Sequence, residues 1–76
     1  MDTRSLSEYL QEMSNEDLKT CFGEYEELNK TAVLKEGVTR QIERWYKERY
    51  KIIGNVLETI RNNIYYEMAA RWYSLD

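Results

Sequence analysis

The sequence predicts an all-α fold, a small bundle of three to four helices with a long C-terminal helical segment. Three observations predict it. The 76 residues include no proline and only three glycines, so residues that break helices are nearly absent. Hydrophobic residues make up 42% of the chain, too many for a disordered segment, and they recur at steps of three and four. Serines followed three residues later by acids then mark where individual helices begin.

The stretch Ser5-Leu6-Ser7-Glu8 has the spacing of a capping box, in which the serine and the glutamate each satisfy an orphaned backbone N–H. It predicts a short first helix over about residues 6–13. Ser14 opens a second cap, with Glu16 and Asp17 placed against the positive end of the helix dipole. The apolar stripe of this second helix is Leu18, Phe22, Tyr25 and Leu28, with Cys21 beside it. Gly23 weakens it by about 1 kcal/mol relative to alanine. Residues 29–37 break the pattern and are expected to form a loop whose Ala32-Val33-Leu34 cluster plugs the core. From Val38 onward, Val38, Ile42, Trp45, Tyr46, Ile53, Val56, Leu57, Ile60, Ile64, Met68, Trp72 and Leu75 share one broad arc. Because the phase passes Gly54 without a jump, the first expectation is one straight or bent helix over about 37–73, roughly 55 Å long. The alternative is a reversal at Gly54-Asn55. There Gly54 would take the left-handed position that ends one helix, and Asn55 with Glu58 would cap the next. Either way residues 1–76 read as a single domain.

Composition excludes several classes of chemistry. Without histidine the commonest general base and zinc ligand is missing, and one cysteine forms no internal disulfide. Cys21 lies beside the apolar stripe, with no base near it in sequence, and reads as a small buried hydrophobe. No glycine-rich phosphate loop, dinucleotide fingerprint or calcium-loop spacing occurs, so no catalytic residue, cofactor or metal is expected. The acidic first twenty residues do not make a secretory signal and no window suits a membrane span, which leaves the cytoplasm as the expected compartment.

Two stretches remain as candidate surfaces. Residues 40–51, RQIERWYKERYK, hold five cations, and Arg40, Arg44, Lys47 and Lys51 align at steps of four, three and four. Such a stripe is first a solvated face. Its functional alternative is nucleic-acid or acidic-partner contact, with Trp45, Tyr46 or Tyr50 stacking on bases. Charge argues against that alternative. The net charge is −3, and residues 1–36 hold nine acids against four bases. Arg49 falls on the apolar side of the same helix and needs a carboxylate there, for which Glu24, Glu26 and Glu27 are the expected source.

The second stretch is the C-terminal one. Seven tyrosines and two tryptophans exceed what a small helical core requires. Tyr65, Tyr66, Arg71, Trp72 and Tyr73 concentrate the residue types that dominate binding hot spots, with Ala69 and Ala70 allowing close approach. These five are the expected partner-binding residues, and a homodimer is expected because so short a chain hides little ring area. The reading is a non-enzymatic protein-interaction module. In size, acidity and tyrosine content the chain is similar to small inhibitors and antirepressors encoded by bacteriophages and mobile elements, anti-CRISPR proteins among them. That resemblance implies an inhibitor or regulator acting by occupancy.

Overall fold

The computed structural model describes residues 3–72, and every regular element among them is a helix: α1 (Leu6–Gln11), α2 (Asn15–Thr31), α3 (Val38–Tyr50) and α4 (Leu57–Ala70). The two serine caps form as their spacing predicts. Ser5 and Glu8 complete the capping box of α1, at 3.1 Å for the Glu8 N–H on Ser5 Oγ and 3.0 Å for the Ser5 N–H on Glu8 Oε1. Ser14 Oγ accepts the Asp17 N–H at the start of α2. The first helix is shorter than expected, ending at Gln11, and α2 is longer, running to Thr31 before Ala32 closes it in the left-handed conformation.

The start of α3 has a cap that local sequence does not announce. Gly37, at the N-cap, has no side chain to offer, and Glu24 reaches across from α2 instead. Its carboxylate accepts the N–H groups of Val38 and Thr39, at 3.2 and 2.8 Å, and the Thr39 hydroxyl at 2.7 Å. A Cβ on Gly37 would land on that carboxylate, so glycine is what lets the cap close.

The expected helix over 37–73 is two helices. Lys51, at φ 55°, ends α3 in the left-handed conformation, and the Ile52 N–H turns back to Lys47 O at 3.0 Å, a Schellman closure. Gly54, assigned that role in the sequence, is three residues further on and does not have a positive φ. Asn55 does not cap α4 with Glu58 as expected: the N-cap is Val56, without a side-chain cap, and Asn55 Oδ1 instead accepts the Leu57 N–H at 2.9 Å from the position before it. Ile53 leaves the apolar arc altogether and projects from the connection at 96% exposure.

Helix α4 packs against each of the other three and is the axis of the molecule. Leu6, Leu10, Leu18, Cys21, Tyr25, Ile42, Val56, Ile60 and Ile64 form the buried cluster around it. Of the Ala32-Val33-Leu34 cluster only Leu34 is buried, while Val33 stays exposed because the left-handed Ala32 turns the chain outward first. The whole measures 35 × 31 × 17 Å, a slab about two helices thick. A slab has little interior for its surface, which decides where the aromatic residues can go.

Candidate functional site

Some of the aromatic residues form a half-buried wall between α1 and α3, exposed at its Tyr50 end. Tyr9 of α1 meets Trp45 of α3 with ring centroids 4.4 Å apart, and the wall continues through Tyr46 to Tyr50. The Arg4 guanidinium covers one end, 4.7 Å above the Tyr9 ring and 5.6 Å from that of Trp45. Another aromatic, Tyr25, is buried, and its hydroxyl donates to Leu57 O at 2.8 Å.

The C-terminal aromatics behave differently. Ile60 and Ile64 fix which side of α4 faces the core, so Asn62, Tyr65, Tyr66 and Ala69 must lie on the outer side, where they line a shallow groove. Tyr66 is 79% exposed and Trp72, just past the helix, is 70% exposed. Tyr65 is held more firmly, its ring leaning on Phe22 of α2 at 5.7 Å. From Asn62 to Trp72 every exposed residue is uncharged: Asn62, Tyr65, Tyr66, Ala69, Ala70 and Trp72. The acid in this stretch, Glu67, is turned inward and paired with Arg71 at 2.7 Å. Asn62 was missed in the sequence, although it stands one turn before Tyr65 and Tyr66 on the same face.

Arg71, grouped with the docking residues by sequence, points into the fold. Its guanidinium donates to Leu10 O, Gln11 O and Met13 O at 3.0, 2.9 and 2.7 Å, and to Asn15 Oδ1 at 3.0 Å. Leu10 O also accepts the Met13 N–H at 3.1 Å, and with Gln11 O and Met13 O it belongs to the C-terminal acceptors of α1 and its link to α2, so one side chain caps α1 from the far end of the sequence. Arg71 thereby positions the exposed end of α4 and does not itself present a charge to a partner. Tyr73 lies outside the described residues.

The cationic stripe is not a continuous positive surface. Arg40 pairs with Glu43 at 2.7 Å and reaches Leu34 O at 3.4 Å, and Arg44 pairs with Glu36 at 2.5 Å. The hydrogen bond from Arg44 holds the Glu36 carboxyl below the ordinary carboxylate range. Lys47 is half-buried, and Lys51 leaves the helix at its left-handed cap, so the expected alignment ends before the fourth cation. Arg49 does not find a carboxylate in the Glu24–Glu27 cluster. Glu24 is committed to the α3 cap, and the Arg49 guanidinium lies 4.7 Å above the Tyr50 ring, with Nε buried and lacking a hydrogen-bond partner among the described residues.

Cys21 is fully buried, its sulfur 3.0 Å from Thr39 Oγ1. Burial pushes its thiol up to about 11, against which the Thr39 hydrogen bond works only partly. It therefore stays protonated, which suits a packing role and not a nucleophile's. Among the described residues no group of His, Cys, Asp or Glu is arranged to hold a metal ion, and no helix is long and apolar enough to cross a membrane.

Comparison with protein-family models, with curated proteins and with solved structures finds no significant match. The candidate site must be read from its own chemistry.

Proposed function

We propose that this chain is a non-enzymatic docking module, a small inhibitor or regulator that works by covering a protein partner's surface with the outer face of α4. The observation that carries this reading is the charge-free exposed run from Asn62 to Trp72, in a chain of which 33% is charged. Loss of charge together with gain of tyrosine and tryptophan is what separates the core of an interface from ordinary surface. Tyr66 and Trp72 offer large, stiff contact area at small entropic cost, and Asn62 adds a hydrogen-bonding group at the rim. The role is of the type found among the phage and mobile-element inhibitors and antirepressors, anti-CRISPR proteins included, that the composition resembles. The cytoplasm is its proposed compartment, consistent with a single, buried thiol.

A nucleic-acid-binding regulator using Arg40, Arg44, Lys47 and Lys51 is the alternative, and it has less behind it, because Glu36 and Glu43 neutralise two of the four cations in place. Affinity capture from a nuclease-treated bacterial lysate tests both. The docking reading expects a stoichiometric protein that is lost with the double variant Tyr66→Ala, Trp72→Ala while helicity is unchanged. Retention of that protein by the variant, or its disappearance on nuclease treatment alone, overturns the reading.

A further inference from the structure

We infer that in the free protein the outer face of α4 is covered by a second copy of this chain, the two α4 helices packing antiparallel about a two-fold axis that passes between Tyr65 and Tyr66. The inference rests on the docking reading above and names the first occupant of that face.

Charge is the first reason. A two-fold pairing sets a patch against itself, so any charge on it meets its own sign. The protein's net charge is −3, and the outward side of α2 displays Glu16, Asp17, Glu26 and Glu27. The outer face of α4 from Asn62 onward has no charge to repel its copy.

Spacing is the second. Asn62 and Ala69 stand equally far from the midpoint between Tyr65 and Tyr66, so an axis there sets Asn62 opposite Ala69 of the other copy and Tyr65 opposite its Tyr66. Long side chains on a helix lean toward its N-terminus. Each Tyr65 and Tyr66 then leans away from the axis, over Ala69 and Ala70 of the antiparallel copy. Large residues thus meet small ones on both sides, and the groove lined by Asn62, Tyr65, Tyr66 and Ala69 is knob and hole at once.

Area sets the strength. With a full aromatic side chain covering about 150–250 Å², the exposed parts of Tyr65, Tyr66 and Trp72 amount to on the order of 400 Å² per copy. Two such faces fall short of the roughly 1,200 Å² at which standard interfaces begin. The pair is accordingly weak and exchanging, with a dissociation constant in the micromolar range or above. A protein partner taking the same face must displace the copy, so self-pairing limits docking as concentration rises.

Sedimentation velocity over rising concentration should show a monomer–dimer equilibrium, and Tyr66→Glu should hold the chain monomeric with its helicity unchanged. Variants that add one surface cysteine to the buried Cys21 test the register. Asn62→Cys mixed with Ala69→Cys should form a disulfide-linked pair faster than Asn62→Cys alone, because two copies of position 62 lie about 10 Å apart along antiparallel helices. A chain that stays monomeric at its highest soluble concentration, or an Asn62→Cys variant that links to itself as fast as the mixture does, overturns the inference. A monomeric chain whose captured partner is still lost with Tyr66→Ala overturns the self-pairing alone. A dimer that captures nothing overturns the docking reading alone.

Discussion

At the scale of single residues, the buried Cys21 and the half-buried Arg71 hold the fold in ways that pH and substitution can reveal. Cys21 ionises near 9 when free and near 11 in the fold. Between those values the unfolded chain has lost a proton that the folded chain still holds, so stability falls as pH rises from 9 to 11, by about 2–3 kcal/mol in all. Tyr25 is pushed in the same direction by burial and adds to the loss above its ordinary range. Below about pH 8 neither group contributes a slope. Urea denaturation at pH 8 and pH 10.5 should show the drop, and Cys21→Ala should be less stable at pH 8 but lose less between the two. A thiol reagent should leave Cys21 untouched until the chain is unfolded. Arg71 is the other such residue. Replacing it with methionine keeps the stem and removes the donors to α1, which should cost about 2 kcal/mol, since hydrogen bonds from a charged group contribute roughly 1.5–3 kcal/mol. Arg71→Lys should recover only part of that, because a compact ammonium cannot span acceptors that a planar fork reaches together. Equal stability of Arg71→Met and wild type in urea would show that the α1 carbonyls are satisfied without it.

At the scale of the elements, the break between α3 and α4 gives the sharpest contrast between sequence and structure. Lys51 sits in the left-handed region, where a side chain costs about 1–2 kcal/mol that glycine avoids. Gly54 sits outside it, and a Cβ there would meet nothing within 4 Å. Lys51→Gly and Gly54→Ala should therefore both raise the melting temperature, each by about 0.5–1 kcal/mol of stability. Had Gly54 ended the helix, Gly54→Ala would instead be strained, so a lowered melting temperature for that variant would put the helix end at Gly54 after all. The two apolar runs share a phase for an arithmetical reason. Ile42 and Ile60 are eighteen residues apart, about five turns at 3.6 residues per turn, so a wheel cannot tell two helices from one. The starts of α1 and α2 were legible because a capping serine and its target are three residues apart in sequence. The cap of α3 was not, because Glu24 and Thr39 are fifteen apart, and the cap of α1's end was not, because Arg71 and Leu10 are sixty-one apart. The outward tyrosines of α4 were legible from their phase against Ile60 and Ile64. Arg71 was misplaced because composition alone made it look like a hot-spot arginine.

At the scale of the whole molecule, a slab 17 Å thick has one buried layer, and neighbouring residues of α4 fall on opposite sides of it. Ile64 is fully buried and Tyr66, two positions on, is 79% exposed. Ile64→Ala should cost about 2–5 kcal/mol in lost burial and cavity. For 76 residues, total stability at roughly 0.05–0.15 kcal/mol per residue is about 4–11 kcal/mol, so that variant takes a large share of the whole. Tyr66→Ala removes more atoms yet should stay within about 0.5 kcal/mol of wild type, since it opens no cavity and alanine is the better helix former. That comparison holds in dilute solution. If two copies cover the face, the wild type gains stability with concentration by mass action and Tyr66→Ala does not, so their melting curves should coincide when dilute and separate as concentration rises. A cost above about 1 kcal/mol at every concentration would mean that Tyr66 roofs the core of a single chain, and the exposed aromatic face would then be part of the fold and not a surface for another molecule.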